Sequence, residues 1–126
     1  MVNKFIYRLT EPQPGEIIVF KPPMAGATQD FVKRVIAVGG QTFSMREGVV
    51  YVDGQAQAEP WLPASYLGDK SFGTITVPQG DVWVLGDHRD DSTDSRVFGP
   101  VPLSSIRGEA VLVWWPLSDV RRLTRS

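Results

Sequence analysis

The chain has 126 residues, with 13 Lys and Arg against 14 Asp and Glu, a net charge of −1 and no cysteine. That balance creates no global field for nucleic acid or anionic lipid, and the missing thiols exclude disulfides, cysteine nucleophiles and Cys-ligated zinc. No apolar run approaches the ~18 residues of a membrane span and the N-terminus is not a signal peptide, so the chain as given is expected to be soluble and one domain, residues 1–126.

Twelve glycines and ten prolines punctuate the sequence densely and favour short strands over long helices. Residues 1–10 read as a strand or a partly buried arm. After the turn Glu11–Gly15, the run Glu16–Phe20 is a short branched strand. The next strand, Asp30–Val38, is stopped by Gly39-Gly40. Its alternation puts Phe31, Lys33, Val35 and Ala37 on one face and Val32, Arg34, Ile36 and Val38 on the other. Each face thus carries one cation among apolar neighbours. A desolvated lysine favours its neutral form and becomes a candidate general base. The bland alternative is a Lys33 that snorkels its ammonium to water.

Strands are expected again at Gln41–Met45 and Gly48–Val52, with Asp53-Gly54 as a hairpin turn. Residues 55–73 read as irregular. Thr74–Val77 and Val82–Leu85 are further strands, a single helical turn fits Leu103–Ile106, and the last strand is Glu109–Trp115. No segment sustains helical spacing. The expected architecture is all-β, of curled antiparallel sheets with little helix.

The strand Val82–Leu85 delivers Gly86-Asp87-His88-Arg89-Asp90-Asp91-Ser92-Thr93-Asp94-Ser95-Arg96, a loop dense in charged and hydroxyl side chains. A loop that only turns needs two or three Gly, Asn or Pro residues, so this one reads either as a built site or as a solvated, self-capped surface loop. Calcium is suggested by Asp90, Ser92 and Asp94 at alternate positions, but the glycine and glutamate of an EF-hand are out of register. A Ser–His–Asp triad would need His88, the only histidine, from the same short loop as its partners, whereas triads join separate elements. A serine–lysine dyad needs a nucleophilic hydroxyl, a desolvated lysine and a second hydroxyl to orient it; Lys33 and Ser92 supply two of these three parts.

The segments Asp30–Ile36 and Gly86–Arg96 resemble two signature segments of the type I signal peptidases, the second in the pattern Gly-Asp-x-Arg-x-x-Ser-x-Asp-Ser-Arg. Asn3–Arg8 through Gly15–Phe20 is similar to a third, in the family's order, and Gly48–Gly54 with Glu59-Pro60 is similar to its connecting hairpin. The resemblance implies a membrane-anchored serine endopeptidase that removes signal peptides from exported pre-proteins on the outer face of the cytoplasmic membrane. It implies no cofactor and no metal. Lys33 would be the general base and Ser92 the hydroxyl that orients its amine. Asp94 and Arg96 would brace the site as an ion pair, with Arg34 nearby. Family substrates carry small side chains before the scissile bond; Val35 and Ile36 are candidates to line the pockets.

The chain departs from the family at several positions. Asn is common where His88 and Asp91 stand, and Gly-Leu-Pro-Gly-Asp where this chain has Ala37–Gln41. The family nucleophile lies in a Ser-Met-x-Pro segment upstream of the region matching Asn3–Phe20. Ser44-Met45 is no substitute, because Arg46-Glu47 follows and it stands after Lys33. The expectation is a chain truncated at its N-terminus, lacking nucleophile and anchor, and inactive alone. The reading from another class is a catalytically dead domain that binds signal peptides or a partner. Trp114 and Trp115 point to opposite faces of a strand, so one is expected at the membrane interface, against the alternative that both lie between sheets.

Overall fold

The computed structural model describes residues 5–6, 12–90 and 92–110. Its strands are β1 (Phe5–Ile6), β2 (Ile17–Phe20), β3 (Phe31–Val38), β4 (Thr42–Arg46), β5 (Val49–Val52), β6 (Gln55–Ala56), β7 (Phe72–Thr76), β8 (Asp81–Leu85), β9 (Val101–Pro102) and β10 (Ile106–Ala110). Two one-turn α-helices, α1 (Ala64–Leu67) and α2 (Ser95–Phe98), and a 3-10 turn at Leu103–Ser105, where the sequence suggests a single helical turn, interrupt them. The strands form a six-stranded sheet in the order β1-β10-β2-β3-β8-β9 and a four-stranded sheet in the order β6-β5-β4-β7. All pairings are antiparallel. The fold is all-β with little helix, as the sequence pattern implies.

The branched and aromatic residues of β3 suit a pleated interior strand. It pairs with β2 on one side, where Lys33 faces Ile18 and Arg34 faces Ile17, and with β8 on the other, where Arg34 faces Leu85. Both cations therefore stand in the middle of a sheet rather than at an edge. Simple alternation along β3 fails after Val35, because a bulge separates the pairs Val35–Val84 and Ala37–Trp83. An extra residue at a bulge resets which face later side chains occupy. Accordingly Val35 belongs to one apolar cluster, with Ile18, Phe20, Val82, Val84 and Val101. Ile36 and Ala37 both join the other, with Phe43, Met45, Val50, Val52, Val77, Trp83 and Leu85.

That second cluster draws on both sheets and joins them. Its aromatic members meet at tilted angles, with Phe43 and Trp83 centroids 5.3 Å apart and Phe72 against both. Offset geometry of this kind suits the ring quadrupoles. The first cluster is closed by Phe31 and Phe98, which with Phe20 form a triangle of rings about 6 Å apart. Phe98 is the last residue of α2, so the end of the polar loop is fastened to the same apolar layer that carries β3.

The sequence reading differs from the structure mainly in short elements. The stretch 55–73 contains β6, α1 and the start of β7, and four-residue elements leave no periodicity to detect. The last strand runs over Ile106–Ala110 instead of starting at Glu109. Residues 111–126 lie outside the described residues, so the expectations for Trp114 and Trp115 do too.

Candidate active site

The polar loop runs from the end of β8 to the start of α2, and its two ends are stitched together by side chains. Asp94 caps α2 and is fully buried. One carboxylate oxygen accepts from the Gly86 amide at 3.0 Å, the other from the Arg96 amide at 3.1 Å. The Arg96 guanidinium completes the set, donating from Nε and Nη2 at 2.9 and 2.8 Å. The next residue, Ser95, accepts from the amide of Val84 at 2.9 Å. A buried carboxylate with four donors is a satisfied one. The loop thus doubles back onto β8 in a fixed arrangement.

This arrangement sets Ser92 over β3. Lys33 is 0% exposed, and its Nζ donates to Ser92 Oγ at 3.1 Å. The amine also lies 5.4 Å from the centre of the Phe31 ring. It does not snorkel. Burial pushes the Lys33 pKa from 10.5 down to about 8 against the opposing pull of Asp94; Arg96 adds to the lowering and Asp87 opposes it. At that value roughly a tenth of the amine is neutral at pH 7, against about one part in three thousand for an ordinary lysine. A neutral amine beside a hydroxyl, close to neutrality, is able to take and return a proton.

Arg34 turns to the other face of β3. It grips Asp87 in a two-pronged ion pair, both contacts 3.0 Å, and donates to the Gly15 carbonyl at 2.9 Å. Its guanidinium lies 5.3 Å from the centre of the Trp61 ring. A cleft of about 120 Å³ opens on this side among Pro14, Gly15, Arg34, Gln57, Glu59 and Trp61. It is separate from the Lys33 amine. Val35 and Ile36 are core residues that also border this cleft.

Lys33, Ser92, Asp94 and Arg96 are therefore brought together, and Arg34 reaches the same loop from behind through Asp87. Four participants escaped the sequence reading. Asp87 and Arg89 were visible as charges of the loop, but nothing in their spacing said which partner each would take. Arg89 is 1% exposed and forms a fork with Glu59 at 3.0 and 2.6 Å. Glu59 stands 30 residues earlier, in a stretch without periodicity. Tyr66 of α1 stacks on His88, with ring centres 4.7 Å apart and planes 18° from parallel. The histidine is thus an aromatic partner of α1. Asp94 is spent on Gly86 and Arg96, and among the described residues no group of acids and imidazoles is placed to hold a metal ion.

Comparison with known proteins gives a consistent result. The family described as signal peptidase, peptidase S26, matches residues 1–115. A probable signal peptidase I-1 of Synechocystis is 40% identical, over 94% of this chain and 62% of its own length. A signal peptidase I of Mycobacterium tuberculosis is 36% identical, over 94% of this chain and 57% of its own. The chain thus spans about three fifths of the length of these relatives. A crystal structure of a signal peptidase I from Enterococcus faecalis superposes with a TM-score of 0.70 and 31% identity, covering 82% of this chain and all of that one.

Proposed function

The chain belongs to the signal peptidase family, peptidase S26, and from that premise we propose that it is the catalytic part of a serine endopeptidase that removes N-terminal signal peptides from exported pre-proteins. Lys33 is the general base, Ser92 holds its amine, and the ion pair of Asp94 and Arg96 braces both. The observation that carries this reading is the buried Lys33 amine, with its pKa near 8, at 3.1 Å from Ser92.

In the proposed reaction a serine hydroxyl attacks the scissile carbonyl while the neutral Lys33 amine takes its proton. The resulting ammonium then protonates the leaving amine as the peptide bond breaks, leaving an acyl-enzyme. Water repeats the sequence: it attacks the ester while Lys33 takes its proton, and the ammonium passes that proton to the departing serine oxygen as the acyl bond breaks. No histidine is required. Ser92 already accepts from the lysine, so it is the orienting group and the attacking hydroxyl is another. The 126 residues contain no Ser-Met-x-Pro, and in the proposed reading the attacking serine comes from such a segment, which in the family lies N-terminal to the region matching Asn3–Phe20. The reaction takes place at the outer face of the membrane, with Trp114 and Trp115 as the proposed interfacial contact. Among the described residues no helix is long and apolar enough to cross a membrane.

The test is a signal-peptide cleavage assay on the 126-residue chain and on a version extended upstream through the serine segment. The extended form should turn over, the short form should not, and Lys33→Ala should abolish turnover, since members of a catalytic unit fail together. Turnover that survives Lys33→Ala would contradict the role of Lys33. Turnover by the short form would place the nucleophile within it.

A further inference from the structure

Ser92, which meets the Lys33 amine, packs directly against Gly86, and Gly86 is held from behind by one buried arginine. Arg89 uses its whole side chain for this. Its Nε donates to the Gly86 carbonyl at 2.8 Å, and its two terminal nitrogens grip the two oxygens of Glu59. Its amide donates to the Tyr66 carbonyl at 2.8 Å, and its carbonyl accepts from Arg96 Nη2 at 2.8 Å. Gly86 in turn lies directly beneath Ser92: a methyl group added there would stand 1.7 Å from Ser92 Oγ and 3.4 Å from the Lys33 amine. A continuous chain of contacts therefore runs from Glu59 through Arg89 and Gly86 to the amine.

We propose that Glu59 is a positioning residue of this site: by fixing the Arg89 fork it holds Gly86, and Ser92 packed on it, against the Lys33 amine and keeps water away from it. The proposal rests on the reading of Lys33 as the base. Arg89 is buried with Glu59 as its acidic partner, and the side chain of Glu59 is itself only 5% exposed. Without that carboxylate the guanidinium is left with a buried, uncompensated charge and moves toward water, drawing Gly86 with it. It also releases Arg96 from the Arg89 carbonyl.

Among the described residues, the charged groups around Lys33 are Asp87, Asp94 and Arg96, with its chain neighbour Arg34 on the opposite face and the Glu59–Arg89 pair behind Gly86. Their signs make the two conceivable effects of Glu59→Gln opposite. Loss of a carboxylate acts through the electrostatic field to disfavour the ammonium and lowers the Lys33 midpoint. Loss of the brace admits water and raises it.

The experiment is an NMR titration of Lys33, selectively labelled at its side chain, in the folded 126-residue protein and in Glu59→Gln and Arg89→Lys. Both variants should titrate higher than the parent, by at least about half a unit, because rehydration of a buried amine outweighs one more distant charge. A lowered or unchanged midpoint in the folded variants, with only the melting temperature reduced, overturns the proposal and leaves Glu59 a stability element. A parent midpoint near the ordinary lysine value overturns instead the reading of Lys33 as the base. Should Glu59→Gln fail to fold, Arg89→Lys, which keeps the charge and loses the fork, carries the measurement with the same two outcomes.

Discussion

At Gly86 the absence of a side chain is a requirement of the chemistry. An added Cβ would stand 2.5 Å from Ser92 Cβ as well as 1.7 Å from its Oγ, and so short a side chain has no flexible end to swing away. Gly86→Ala is therefore expected to displace Ser92 from Lys33, lower activity of the extended enzyme by about a hundredfold or more and cost roughly 1–3 kcal/mol. Cleavage kinetics and urea melts on the same variant check both numbers. Arg96→Ala strips the fully buried Asp94 of its ion-pair partner and should cost about 3 kcal/mol, read as a fall in the thermal midpoint. An unchanged midpoint would mean that Asp94 finds other donors. At this scale the sequence was informative where a residue type was out of place, as with Lys33 and Arg34 in an apolar strand. It was silent where partners are distant: neither Glu59 nor its arginine carries a local signal of the fork they form, because a buried ion pair is defined by the fold and not by spacing.

Strands and turns were legible wherever local chemistry decides them. Asp53-Gly54 was read as a hairpin turn, and both residues adopt left-handed backbone, with φ of 52° and 79°, between β5 and β6. Asp53 also accepts from the Thr42 amide at 2.9 Å and so ties this turn to β4. A Cβ at Gly54 would meet nothing within 4 Å, so a substitution there suffers only the backbone penalty. Gly54→Ala should destabilise by about 1 kcal/mol, measured by denaturant midpoint, and leave the site's titration untouched. The bulge in β3 was not legible, because an uninterrupted apolar run looks the same with or without an extra residue. Its consequence is concrete: Ile36 and Ala37 pack in the same cluster, where strict alternation would have separated them. The one-turn helices were hidden for a different reason. α1 and α2 are fixed by tertiary contacts, the Tyr66–His88 stack and the packing of Phe98 on Phe20 and Phe31, rather than by any propensity of four residues.

For the whole molecule, the site is a local cost that the two apolar clusters sustain. Burial pushes the Lys33 pKa down to about 8 in the fold from 10.5 in the reference state, so between those values the unfolded chain binds more protons and stability rises with pH. Below about pH 8 the penalty is fully present, and above about 10.5 it is gone. Lys33→Met should accordingly stabilise the fold at pH 7, by an amount on the order of 1–3 kcal/mol once solvent screening is allowed for, and the gain should vanish in alkaline melts. A site that is costly to keep and stabilised by its own removal is the expected signature of function. The proposed membrane contact belongs to this scale too. Replacing Trp114 and Trp115 with alanine should reduce co-sedimentation with lipid vesicles, and unchanged binding would remove both residues from the interface.

The protonation state of one amine decides most of the account. Titrating the Lys33 side chain by NMR in the folded protein measures it directly, without requiring turnover. The structure predicts a midpoint of about 8, with the amine largely neutral by pH 9. A midpoint at the unperturbed 10.5 would contradict the general base, and with it the proposed peptidase mechanism.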